Sequence, residues 1–300
     1  VDEAGNMNDS DAEAVQAALE GAVLQCRSGL TLTVLYVADE GQFIRTAGPN
    51  RMSMVPPRSI GRNDHGPATS VHGDQDVFGT PIRQLMGGEA PTLFRHDSPG
   101  VHNDEPSLML VNLWIPLQQI TQPLVLADGR SIDRESHQLR YGLATDSFLE
   151  REDDAAINDI WMFLHDPDQR WFFRSEMDHR SAYVFNTLST PHGAGVLPGE
   201  SLAERCFRAL EAGESAAERG DADGLVDALA DIDETRAPDE ATPALRRAIE
   251  GMLALADEAR SDPEAVCGPR SQDWVASSQA ARRSVVRRSL ELRVVVSVDR

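Results

Sequence analysis

Two short stretches of this chain, His72-Gly73-Asp74 and His102-Asn103-Asp104, set an imidazole and a carboxylate two residues apart. In extended backbone, residues two apart point to the same side. Either stretch can therefore offer one nitrogen and one oxygen to a single ion. A later histidine folding back alongside would complete a 2-His-1-carboxylate set. Such a set covers one face of an iron octahedron and leaves three adjacent positions for a bidentate co-substrate and O2. On its own, His-x-Asp has low specificity, because eight His and 49 acidic residues make chance matches easy.

The flanking sequence separates the two stretches. His72-Gly73-Asp74 lies in a Gly-rich region with no strong strand signal near it. His102-Asn103-Asp104 lies just before the most apolar strand-like run in the chain, Leu108 to Leu117 (LMLVNLWIPL). His102 and Asp104 are therefore the expected ligand pair; the blander alternative is an exposed loop histidine and a turn or capping aspartate. Candidates for the third ligand are His137, His165, His179 and His192. His165 falls in a turn-forming stretch and His179 among charged residues. His192 follows a strand signal and sits among small residues (STPHGAG, 189–195), which would let a ligand and co-substrate approach. His192 is the expected distal ligand.

The elements that must position these residues are mostly short strands. Thr31 to Val37, Leu108 to Leu117, Pro123 to Ala127 and Ala182 to Asn186 all read as strands. Ile160 to Leu164 and Trp171 to Arg174 flank His165-Asp166-Pro167-Asp168, a spacing that predicts a hairpin. Ser10 and Glu13 have capping-box spacing ahead of a helical repeat at Val15, Leu19, Ala22 and Val23. Residues 47–100 read as long loops. Residues 201–262 turn to Ala, Leu, Glu, Asp and Arg at helical spacing. Leu290, Leu292, Val294, Val296 and Val298 then fall at period two, a terminal strand. The fold expected is mainly β with α: a jelly-roll (double-stranded β-helix) core with a helical insertion. The expected limits are 1–29 for an N-terminal helical segment, 30–199 for the core, 200–285 for the acidic insertion and 286–300 for a returning core strand.

Composition narrows the partners. The net charge is −21, and all 28 basic residues are Arg. So acidic a surface repels nucleic acid and anionic membranes over most of its area. The Arg282, Arg283, Arg287 and Arg288 cluster is a poor nucleic-acid site on that ground. Three scattered cysteines make neither a disulfide framework nor a zinc pair, so a reducing cytoplasm is expected. No apolar run approaches a membrane helix in length, and Val1 to Asn8 carries no secretion-signal pattern.

VHNDE (101–105), NLWIPL (112–117), PLVLADGRSID (123–133), QRWFFRSEM (169–177), AYVFNTLSTPH (182–192) and RSLELRVVV (288–296) occur in that order. In this the chain resembles the hydroxylase/desaturase family related to cephamycin 7α-hydroxylase and gibberellin desaturase-like proteins. The resemblance spans about residues 100–200 and the last dozen. It implies an Fe(II)- and 2-oxoglutarate-dependent dioxygenase of secondary metabolism that hydroxylates or desaturates a small molecule with O2. It implies His102, Asp104 and His192 as catalytic iron ligands. It further implies Arg293 as the grip on the far carboxylate of 2-oxoglutarate, with Ser289 beside it. Two departures stand out: the segment from His102-x-Asp104 to NLW is short for the family, and the stretch from His192 to Arg293 is long. The second leaves Arg205, four residues after Ser201, as a competitor of Arg293. Rival expectations are a cupin-like jelly-roll metalloprotein without oxygenase activity and a non-catalytic interaction module docking through the acidic helices.

Overall fold

Short apolar runs and the period-two C-terminus assemble into two antiparallel sheets. The computed structural model describes residues 5–55, 61–79, 82, 86–144 and 157–299. Its strands are β1 (Val23–Gln25), β2 (Thr31–Gly48), β3 (Met52–Ser53), β4 (His72–Gly73), β5 (His96–Ser98), β6 (Val101–Asn103) and β7 (Leu108–Pro116). They continue as β8 (Leu124–Ala127), β9 (Gln138–Ala144), β10 (Ile157–Phe163), β11 (Trp171–Phe172), β12 (Tyr183–Asn186), β13 (His192–Ala194) and β14 (Arg287–Asp299). The first sheet runs β1-β2-β14-β7-β12, with β3 beside β2. The second runs β11-β8-β13-β4-β10-β9, and β5 and β6 form a separate ribbon. The two sheets curl face to face as a jelly-roll. Trp114 and Phe185 of the first pack with Leu124 and Leu126 of the second.

The last strand shows how local pattern becomes architecture. β14 lies between β2 and β7 in the middle of the first sheet. Leu290, Leu292, Val294, Val296 and Val298 face outward onto Met7 and Ala12, beneath the helix Asp9–Leu19. The alternate residues Arg287, Ser289, Glu291 and Arg293 face the opposite side, toward the second sheet. The same alternation that closes an apolar layer outside thus loads the interior with charge. Charges buried that way must be paired or must hold a ligand.

Between β13 and β14 stand helices Glu200–Arg219, Ala222–Ala228, Pro243–Ser261, Pro263–Val266 and Ser271–Ser284. They have a core of their own around Leu210, Leu225, Leu245, Ile249, Met252 and Trp274. Each such side chain contributes about 1.5–3 kcal/mol by leaving water.

Two sequence expectations are corrected. The N-terminal capping box is Asn8 with Asp11, not Ser10 with Glu13. The Asn8 side chain accepts from the Asp11 N–H at 2.8 Å, and the Asp11 carboxylate accepts from the Asn8 N–H at 3.1 Å. Nor do β10 and β11 form a hairpin. β10 pairs β9 and β4, whereas β11 pairs β8 at the far edge of the sheet. Turn-forming residues between two apolar runs specify a reversal, but partners are chosen by which edges are free.

Candidate metal centre

β4 is two residues long and sits in the middle of the second sheet. His72 pairs with His192 of β13 on one side and with Met162 of β10 on the other. Residues directly opposite in an antiparallel pair share a face. The two imidazoles therefore project together into the interior, with ring centroids 4.5 Å apart. Gly193 lets β13 come close. A Cβ there would lie 3.3 Å from the Ser70 carbonyl oxygen.

Asp74, two residues beyond His72, brings its carboxylate between the rings. His72 Nε2 lies 3.8 Å and His192 Nε2 3.7 Å from Asp74 Oδ1. Two donors each about 2.1 Å from an ion are at most about 4.2 Å apart. The three atoms therefore suit one shared ion better than direct hydrogen bonds. The outer nitrogens strengthen this fit. His72 Nδ1 lies 2.9 Å from the Ser70 carbonyl and His192 Nδ1 3.0 Å from that of Thr190. Those carbonyls accept, so each Nδ1 carries the proton and each Nε2 keeps its lone pair for a metal. Among the described residues this is the cluster able to hold a metal ion. Two imidazoles and one carboxylate suit Fe(II).

Electrostatics favour the ligand forms of His72 and Asp74. Burial lowers the His72 pKa to about 4, with His192 adding to the effect and Asp74 opposing it, so the ring is neutral near pH 7. Burial alone would raise the Asp74 carboxyl. Arg293 and then the two imidazoles outweigh it, and the group is held well below the usual carboxylate range. His192 moves the other way. Burial disfavours its proton, but Asp74 outweighs burial and raises the pKa.

The first sheet supplies the opposite wall. Arg293 and Asn112 are register partners on β14 and β7, and both grip Asp74. Arg293 Nη2 donates to Oδ1 at 3.1 Å and Asn112 Nδ2 to Oδ2 at 3.3 Å. Gly41 makes room for Arg293, since a Cβ there would meet the Arg293 Cβ at 2.6 Å. Arg45 and Glu291 form an ion pair at 2.7 Å. A narrow cavity of about 10 Å³ touches His72, His192, Asn112, Trp114, Leu124 and Arg287. Arg287 is buried, and burial pushes its pKa down to about 10. Its Nη1 reaches the Pro123 carbonyl at 3.4 Å, but its Nε has no partner among the described residues. The same holds for buried Ser289 Oγ and Trp114 Nε1.

Of the residues expected from sequence, the structure brings His192 to this centre and leaves His102 and Asp104 outside it. That is a correction. The His102 side chain is 69 % exposed and that of Asp104 72 %. His102 Nδ1 pairs with Asp97, while its Nε2 lies 3.6 Å from Asp104. Both ring nitrogens are thus bracketed by carboxylates on a surface ribbon. Arg205 is also remote in role: it lies on a helix and pairs with Glu234. Sequence reasoning passed over His72 and Asp74 because a two-residue strand has no periodicity to read. One signal was available. The segment between His102-x-Asp104 and NLW is short for the resembled family, and starting from His72 lengthens it by thirty residues.

No curated protein sequence matches the chain. Among solved structures, an iron and alpha-ketoglutarate-dependent endoperoxidase, NvfI, is similar at 12 % identity and TM-score 0.39, covering 89 % of this chain and 62 % of that one. The same enzyme in a different conformation gives 13 % identity and TM-score 0.42, covering 97 % and 68 %. This chain thus spans about two thirds of their length. No helix among the described residues is long and apolar enough to cross a membrane. A family model described as an oxidoreductase/YMDC permease-like domain matches residues 43–212, more than half of the chain and a span that includes His72, Asp74 and His192. The chain belongs to the family of oxidoreductase/YMDC permease-like domains.

Proposed function

We propose that this chain is a non-haem Fe(II) dioxygenase that uses 2-oxoglutarate and O2 to hydroxylate or desaturate a small molecule, with His72, Asp74 and His192 as metal ligands. The observation that carries the reading is the His72–His192 register pair, with Asp74 between the rings and both Nδ1 protons committed to backbone carbonyls. Iron with 2-oxoglutarate and O2 supplies an oxidant for C–H bonds and releases succinate and CO2.

The residues around the ligands divide the remaining work. Arg293 and Asn112 hold the Asp74 carboxylate in place and keep it ionised. With its guanidinium on Asp74, Arg293 is better suited to that task than to the far end of a dicarboxylate. In this reading the far carboxylate goes to Arg287. Its Nε and the Trp114 Nε1–H are buried without partners on two residues that line the cavity, and the unpartnered Ser289 hydroxyl lies two residues along the same face of the strand. A guanidinium and a hydroxyl both donate to carboxylate oxygens. Ser289 keeps the role expected of it beside a different arginine. At about 10 Å³ the cavity holds roughly one water, so binding a dicarboxylate requires side chains around Trp114 and Leu124 to move. That narrowness is also what favours the second reading, a metalloprotein of this fold that does not use 2-oxoglutarate.

The test is anaerobic titration of Fe(II)-loaded protein with 2-oxoglutarate, followed by succinate measurement on exposure to O2. The dioxygenase reading expects a new visible absorption band and succinate, both abolished in His72→Ala and retained in His102→Ala. Arg287→Leu should bind iron but need far more 2-oxoglutarate. Iron binding without any response to 2-oxoglutarate would replace this reading with the second one.

A further inference from the structure

The two histidines belong to one row of register partners that crosses the whole second sheet. Phe172 pairs with Leu126, Leu126 with His192, His192 with His72, His72 with Met162, and Met162 with Leu139. All six side chains share the inner face, two ligands at the centre and two apolar residues on each flank. Toward β8 Leu126 packs against the first sheet beside Trp114 and Phe185, and beyond it the terminal Phe172 is 59 % exposed. The cavity with Arg287 lies on that side too, against Leu124 and Ala194. Toward β9 the row reaches water without the first sheet over it. Leu139 is 46 % exposed, and Tyr141, on the same face in the next row beside Ile160, is 53 % exposed. Leu139 and Tyr141 are adjacent apolar side chains that meet water on the same face as the two ligands. Neighbouring strands are about 4.8 Å apart, so this flank reaches roughly 10 Å from His72.

We propose that Met162, Leu139 and Tyr141 form the wall on which a neutral, largely apolar substrate lies, with its reacting carbon at the His72–Asp74–His192 centre. The inference rests on the dioxygenase reading for what happens to the substrate, but its binding test does not. The row from His72 to Leu139 carries no charge and offers an anionic group no partner. The −21 net charge of the chain further disfavours anions. The charged end of the interior, around Arg287, lies on the other flank, so an acidic co-substrate and an apolar substrate would approach from opposite sides.

The probe is Nile red fluorescence on the full chain, competed by linear 1-alkanols from hexanol to decanol, with and without Co(II). Binding should tighten roughly threefold to fourfold for each added methylene. Leu139→Asp and Tyr141→Asp should each weaken decanol at least tenfold while Co(II) affinity and circular dichroism stay unchanged, and Leu139→Met should restore it. Phe172→Asp, on the opposite flank, should leave decanol binding as it was. Loss of Co(II) binding with alkanol binding intact would count against the metal centre and not against this wall. The proposal is overturned if alkanols do not bind, if Phe172→Asp rather than Leu139→Asp removes binding, or if sedimentation shows a dimer that Leu139→Asp dissociates. In that last case a second copy of the chain covers this face.

Discussion

Residues 72–74 and 101–104 carry the same two-residue spacing of histidine and aspartate and meet opposite fates. The first stretch is flanked on both sides by strands of the second sheet, one of which brings His192 into register. The second lies on β6, which among the described residues pairs with β5 alone, and His102 there contacts Asp97 and is 69 % exposed. A motif two residues long fixes the relative direction of two side chains and nothing else. What a metal centre needs beyond it is a third donor, exclusion of water and a counter-charge, and each comes from elsewhere in the chain. Asp74 has Arg293 from β14 and Asn112 from β7; Asp104 is largely solvated.

The contrast is broken most directly by removing one histidine from each stretch. His72→Ala should lower Co(II) affinity by more than about 100-fold, since loss of a ligand exceeds the 10–100-fold typical of outer-shell changes. His102→Ala should stay within twofold, as isothermal titration can decide. Equal losses in both variants would end the distinction.

Arg293 sharpens it next. Arg293→Gln leaves Asp74 buried without its main counter-charge, so it should destabilise the fold by about 3–5 kcal/mol. It should also weaken Co(II) roughly 10–100-fold. Urea unfolding with and without metal separates the two effects, and a variant of wild-type stability and affinity would show that Arg293 does not support the carboxylate.

A pH titration probes the same difference more gently. Asp74 raises the His192 pKa above its ordinary value, and the proton must leave before Nε2 can bind a metal. Affinity should therefore rise with pH through and above the usual imidazole range, and fall as the pH drops. His72, with a pKa near 4, should contribute to that loss only in stronger acid. The profile should be identical in His102→Ala.

The smallest effect belongs to the surface ribbon. A hydrogen bond from His102 to Asp97 raises the His102 pKa, so the pair contributes below the ordinary imidazole pKa and its contribution is lost as pH rises through the raised value. For so exposed a pair the contribution should be under about 1 kcal/mol. Asp97→Asn should move the His102 resonance titration back toward its ordinary midpoint with little change in unfolding.

Several elements were legible because their pattern is local. LMLVNLWIPL became β7 to within a residue, and PLVLA became β8. The period-two run of leucine and valine became β14, and the amphipathic repeats between 201 and 262 became helices. His192 stood out because small residues surround it after a strand. The expected β10–β11 hairpin is absent among the described residues because two apolar strands and a turn are equally consistent with separate partners.

Local residue pattern was enough to say which segments could be strands or helices, which face of β14 is apolar, and that some His-x-Asp could meet a later histidine. Each follows from side-chain periodicity or from chemistry within a few residues. Which His-x-Asp meets His192 was settled by packing of the second sheet. β4 is a strand because β10 and β13 lie on either side of it, and no two-residue segment carries that information. Tertiary packing also decided that Arg293 serves Asp74 and that Arg287 lines the cavity with its Nε unpartnered among the described residues. Both arginines lie on the same face of one strand, and what a buried charge does is set by the partner that the opposite sheet places within reach.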